Sequence, residues 1–212
     1  MAFLFKKASC VVVGTFNIYI LNPQWLAKHG LIEKGMGVLM ETNLAQPGFR
    51  FQLSDQHVTW NIAPHQIAVE TDDAEVDCGA KIGGVLGALP ETPLFALGNN
   101  VVYRADLAEL ESLPQPIREF PFVESSNAAD KVVQRTFHFG VKHDQHRTTN
   151  LQVSIREDEV ELLCNVHTEL RDRDTRTCAI PAAKKFFEDR ASAKALAQHF
   201  FGTGIEYASS NG

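Results

Sequence analysis

Four histidines, His138, His143, His146 and His167, are the densest collection of ligand-type side chains in this 212-residue sequence. Neutral imidazole nitrogens bind zinc and similar ions. A turn bringing His143 and His146 together, with Asp144 beside them and His167 arriving from a paired strand, would suit a metal site. A metal held there would activate water for hydrolysis. Strand geometry argues against the grouping, because side chains alternate between faces and an odd separation, such as 138 to 143, sends two residues to opposite sides. The segment 142–147, KHDQHR, reads more simply as the polar tip of a hairpin.

Other chemical patterns are weaker. Residues 79–84, GAKIGG, are glycine-rich but match neither a phosphate-binding loop nor a dinucleotide fingerprint, and they fall inside a helical pattern where glycine serves close packing. Arg171, Arg173 and Arg176 alternate with Glu169, Asp172 and Asp174, which describes a self-paired, solvated loop. No serine sits in a nucleophile elbow, and no cofactor-binding motif is read anywhere in the chain. Four residues stand out as candidates for recognition: Trp25, Trp60, Asn99 and Asn100. Trp60 falls on the apolar side of its strand with Val58 and Ile62, a position that also suits a core residue.

The elements that must position these residues are mostly strands. Leu151, Val153 and Ile155 alternate with polar residues, and after an acidic turn the alternation resumes at Val160, Leu162, Cys164 and Val166. Residues 132–142 add a third run. Towards the amino terminus, residues 9–20 read as a strand, and Asn22-Pro23 as a cap and first position of a short helix. Residues 35–43 and three short runs between 49 and 69 read as further strands. Asp72-Asp73 can cap a helix over 74–89, and residues 93–103 form a strand interrupted at Gly98-Asn99-Asn100. Residues 181–201 carry a long helix closed by Gly202 and Gly204.

Composition sets the outer bounds. Apolar content of 44% with 22% charged residues is that of a globular chain with a packed core. No apolar run reaches the roughly 20 residues of a membrane-spanning helix, and the first residues make a poor secretory signal, so no membrane partner is expected. The net charge of −6 is spread over both halves, which disfavours nucleic acid as a partner. Cys10, Cys78, Cys164 and Cys178 are scattered without paired spacing and read as reduced thiols, implying a cytoplasmic setting.

The element order, together with Pro23, Trp25, Trp60, Asn99 and Tyr103, resembles a sporadically distributed family of uncharacterised bacterial proteins, in which the first domain closes on a comparable strand motif. The resemblance spans most of the chain and carries over no functional residue. It implies a bacterial or phage origin and a role as an accessory component of a larger system.

The sequence therefore predicts an α+β protein with two mainly antiparallel β-sheets, each covered by helices: a subdomain over 1–104, a proline-rich linker over 105–130, and a meander with a terminal helix over 131–212. The expected role is a non-catalytic interaction or assembly subunit that engages another protein or self-associates as an oligomer. The alternatives are a small-ligand-binding module with an apolar groove between sheet and helix, and a metal-dependent hydrolase using His143, His146 and His167.

Overall fold

The strand Phe3–Gly14 (β1) organises the molecule, and its burial follows from its sequence. Phe3, Phe5, Ala8, Cys10 and Val12 are buried on one side. A register shift between Phe5 and Lys7 lets two successive lysines face outward and then restores the apolar phase, as a bulge does. The computed structural model describes residues 3–35, 37–42, 47–53, 57–106, 135–156, 159–171, 174–201 and 205–206. Most of the linker expected over 105–130 and the glycines expected to close the last helix lie outside the described residues.

After β1 come the helix Pro23–Lys28 (α1) and a meander of Val38–Thr42 (β2), Phe49–Leu53 (β3), Val58–Ala63 (β4) and Gln66–Thr71 (β5). The helix Cys78–Ala88 (α2) follows, then the long strand Leu94–Asp106 (β6). A second meander, Arg135–Lys142 (β7), Arg147–Ile155 (β8) and Glu159–Glu169 (β9), leads through a π-helical turn at Thr175–Ala179 into Ile180–Lys184 (α3) and Phe186–Phe201 (α4). Two residues, Ile205–Glu206 (β10), pair in parallel with Phe3 and Leu4.

The strands form one sheet in the order β2-β3-β4-β5-β1-β6-β9-β8-β7, and this overturns the expectation of two sheets. β6 is hydrogen-bonded on both sides, to β1 from Leu94 to Arg104 and to β9 from Ala96 to Asp106. It is continuous through Gly98-Asn99-Asn100, where an interruption was expected, and the boundary drawn at residue 104 falls within it. Alternation in a sequence reports which face a residue takes, but not which strand lies alongside; that is why the seam was invisible. Across the seam the two halves repeat one plan: a long strand, a meander returning beside it, then helices.

α2 lies on β1 and β5, and α4 on β6 and β9, on the same face of the sheet. Beneath them Phe51 stacks on Trp60 with ring centroids 5.9 Å apart, and Phe5 meets Tyr103 edge to face at 6.4 Å. Each such buried aromatic contributes a few kcal/mol of transfer free energy.

The glycines of α2 divide by what surrounds them. Gly83 faces α3 with its nearest neighbours at 4.0 Å, whereas a methyl built on Gly87 meets nothing within 4 Å. Gly87→Ala therefore raises stability by about 0.5 kcal/mol, since alanine loses less backbone freedom on folding. The check is the urea midpoint, and a midpoint at or below that of the parent would contradict it. The cap of α2 is Asp77, whose Oδ1 accepts the Ala80 amide at 2.8 Å, and not Asp72 or Asp73 as the sequence suggested.

Candidate functional site

The β7–β8 hairpin holds the histidine pair as expected, but its geometry is that of a turn. The Asp144 carboxylate accepts the His146 amide at 2.7 Å, and that bond holds its carboxyl below the usual range. The His143 ring Nε2 lies 2.7 Å from the Thr149 hydroxyl, on the helix-bearing face. His167 pairs with Thr148 and Gly98, and so belongs to the opposite face. The sheet thus separates His143 from His167. Among the described residues no three His, Cys, Asp or Glu side chains are grouped as a metal site.

The four recognition candidates also part company. Trp60 is fully buried against Phe51, and its indole Nε1 has no hydrogen-bond partner among the described residues. Trp25 is half-buried, its amide held by Asn22 Oδ1 at 2.9 Å and its ring 4.2 Å from His29. Asn99 and Asn100 are neighbours on β6 and face opposite ways. Asn99, 2% exposed, donates to Asp189 Oδ2 at 2.8 Å and to the Ala182 carbonyl at 3.4 Å, tying the sheet to the helices. Asn100 joins a polar row across the other face: Asn150 donates to Asn165, Asn165 to Asn100, and Asn100 to the Ser9 hydroxyl.

Sequence reasoning missed the charged pair at the start of α4. Asp189 is buried and ion-paired with Arg147 of β8. Arg190 donates to the Ala74 carbonyl at 2.8 Å and lies over the rings of Phe5, Phe186 and Phe187 at 5.1 to 5.6 Å. A signal was available: Phe186, Ala193 and Ala197 form the buried stripe, and positions 189 and 190, three and four residues on from Phe186, fall within it. Burial pushes the Asp189 carboxyl up, while Asn99, Arg147 and Lys185 pull it back without restoring it.

Two clefts remain. One, of about 460 Å³, lies between the start of β4 and α2 and is lined by Val58, Val76 and Ala80 with His57, Asp73, Asp77 and Lys81. Burial lowers the Lys81 ammonium below its ordinary range, with Cys78, Asp77 and Glu33 opposing. His57 has a φ of 50° and pairs with Asp72 at 3.1 Å. The other, of about 430 Å³, is lined by Lys6, Arg104 and Arg156 with Asp106 and Glu159, and Arg104 is paired with Glu159 at 3.4 Å. Both clefts are bordered by charge. The space between α2 and the sheet is filled by Ile82, Val85 and Leu86, all fully buried.

Large apolar side chains are exposed at two places of interest. Tyr19 is 87% exposed in the turn before α1, and Leu39 and Met40 are 62% and 48% exposed on β2. Among the described residues no helix is long and apolar enough to cross a membrane. No family model matches the chain, and no curated protein matches it in sequence.

Proposed function

We propose that the protein is a non-catalytic accessory or assembly subunit of a bacterial or phage system, working in the cytoplasm, that binds another protein chain by accepting a strand at the β2 edge. The observation that carries this reading is β2 itself. It ends the sheet, it pairs only with β3 among the described residues, and it exposes Leu39 and Met40 on its two sides. Edge strands are ordinarily blunted by lysine, proline or a bulge. Val38–Thr42 has none of these and a single charge, Glu41. The backbone of such an edge supplies hydrogen bonds to an incoming strand, and the alternate side chains supply selectivity. Four free cysteines, three of them buried, accord with a reducing compartment.

The test is native mass spectrometry of the protein purified gently from its own cells, beside a Leu39→Lys/Met40→Lys variant. The parent protein is expected in a stoichiometric complex that survives moderate salt. The variant is expected to lose that complex while its melting temperature stays within a few degrees, because both side chains are exposed. A complex indifferent to the two lysines would exclude the β2 edge, and a bare parent monomer would exclude the interaction reading.

A further inference from the structure

We propose that the side-chain amine of Lys81 is a nucleophilic modification site, which takes a short acyl group from an uncharged thioester entering the cleft between β4 and α2. This lies outside the strand-edge reading and does not depend on it.

Lys81 is the fourth residue of α2, whose first turn Asp77 caps. Its amine is unlike those of the exposed lysines. It lines a cleft of about 460 Å³, and it is half-buried where Lys28, Lys34, Lys142, Lys184 and Lys185 are exposed. Its ammonium makes no hydrogen bond or close ion pair among the described residues. Packing explains the position. The segment after α1 lies along the same side of the helix: Leu31 meets Gly84, three residues on from Lys81, and Glu33 acts on the amine.

An ammonium taken partly out of water without a hydrogen-bond partner is disfavoured against the free amine. The positive end of the helix, towards which side chains lean, works in the same direction. Burial dominates, Cys78, Asp77 and Glu33 oppose it, and the group stays below its ordinary range. More of the amine is therefore unprotonated at neutral pH, and only that form attacks a carbonyl carbon.

The surroundings select the reagent. Asp73 and Asp77 line the cleft, Asp72 pairs with His57 at its rim, and Glu33 faces the amine. These carboxylates repel anionic donors such as acyl phosphates and favour a reactive group without charge. Val76 and Ala80, both open to solvent, give a short alkyl chain an apolar surface to lie on. In the reaction the amine nitrogen bonds to the acyl carbon and the carbon–sulfur bond breaks. The sulfur leaves as thiolate with the electron pair, and the proton from nitrogen passes to water. The product amide is neutral, so the half-buried site no longer holds an unpartnered charge.

Peptide mass spectrometry of the full chain, treated with a low concentration of the acetyl thioester of N-acetylcysteamine at neutral pH, tests this. The initial rate at Lys81 is expected to exceed those at Lys28, Lys34 and Lys142 by about 3-fold or more, since the gain in free amine outweighs its lower basicity. In urea-unfolded protein the sites are expected to react alike, and with acetyl phosphate the preference for Lys81 is expected to shrink. Glu33→Gln, at an exposed position, removes a carboxylate that holds the proton and is expected to raise the Lys81 rate about 2-fold while leaving Lys142 unchanged. Access alone predicts the reverse order, with Lys81 the slower site. A Lys81 rate no faster than theirs, an advantage that persists in urea or is as large with acetyl phosphate, or a rate that Glu33→Gln fails to raise would each overturn the proposal.

Discussion

Gly79→Ala lowers the unfolding free energy by about 3 kcal/mol and the melting temperature by roughly 6 to 12 °C. A methyl group at Gly79 would stand 2.0 Å from the Ala183 carbonyl oxygen and 2.5 Å from Phe186 Cβ. Neither is the loose end of a side chain. Ala183 is backbone of α3, and Phe186 is fully buried as the first residue of α4. Relief requires α2 and α3 to separate, which moves α4 and with it Asp189 and Arg190. The neighbouring glycine calibrates the argument. A methyl at Gly84 would lie 2.3 Å from Leu31 Cδ2, but that atom ends a flexible side chain that can turn aside. Gly84→Ala is therefore the milder of the two. Thermal and urea unfolding of both variants decides it, and a Gly79→Ala protein as stable as its parent would show that the helices are not locked at this crossing.

Arg147→Ala costs about 3 kcal/mol at pH 7, and the loss shrinks on acidification. Removing one partner of a buried pair leaves an uncompensated charge; the low end of the usual range applies because the Arg147 side chain keeps 28% of its surface in water. The pH dependence follows from Asp189. Burial outweighs its partners, so its folded carboxyl sits above the ordinary value of about 3.9. Between those two values the folded state binds more protons than the unfolded state, so this group's contribution improves as pH falls through the folded value towards the unfolded one. It is least favourable at neutral pH. Without Arg147 the carboxyl rises further, so the variant carries its largest deficit at pH 7 and recovers part of it at a pH close to the ordinary carboxyl value of about 3.9, where Asp189 is protonated. Asp189→Asn added to Arg147→Ala should restore part of the neutral-pH loss, since an amide is less costly to bury than an unpaired carboxylate. Urea midpoints at the two pH values provide the check. Equal deficits at both would mean that Asp189 is not the group left unpaired.

Local patterns determined much of the local structure. Alternation at 151–155 and 160–166 placed β8 and β9 and their buried faces, because a strand's period of two is a property of consecutive residues. Asn22 and Pro23 marked the start of α1, because a cap satisfies the first free amides with atoms close in sequence. The opposed faces of His138 and His143 followed from the same counting, and so did the doubt about their metal site. What only the tertiary structure decided depends on partners far along the chain. The pairing of β1 with β6 and of β6 with β9 merged two expected sheets into one. Asn99 became a clamp on α4 through Asp189, 90 residues away, while Asn100 joined the row on the other face. Asp189 and Arg190, ordinary surface types by composition, were drawn into the core because Arg147, Asn99 and the Ala74 carbonyl were there to meet them. Burying charge is tolerable only where such partners converge, and convergence is a property of the folded chain.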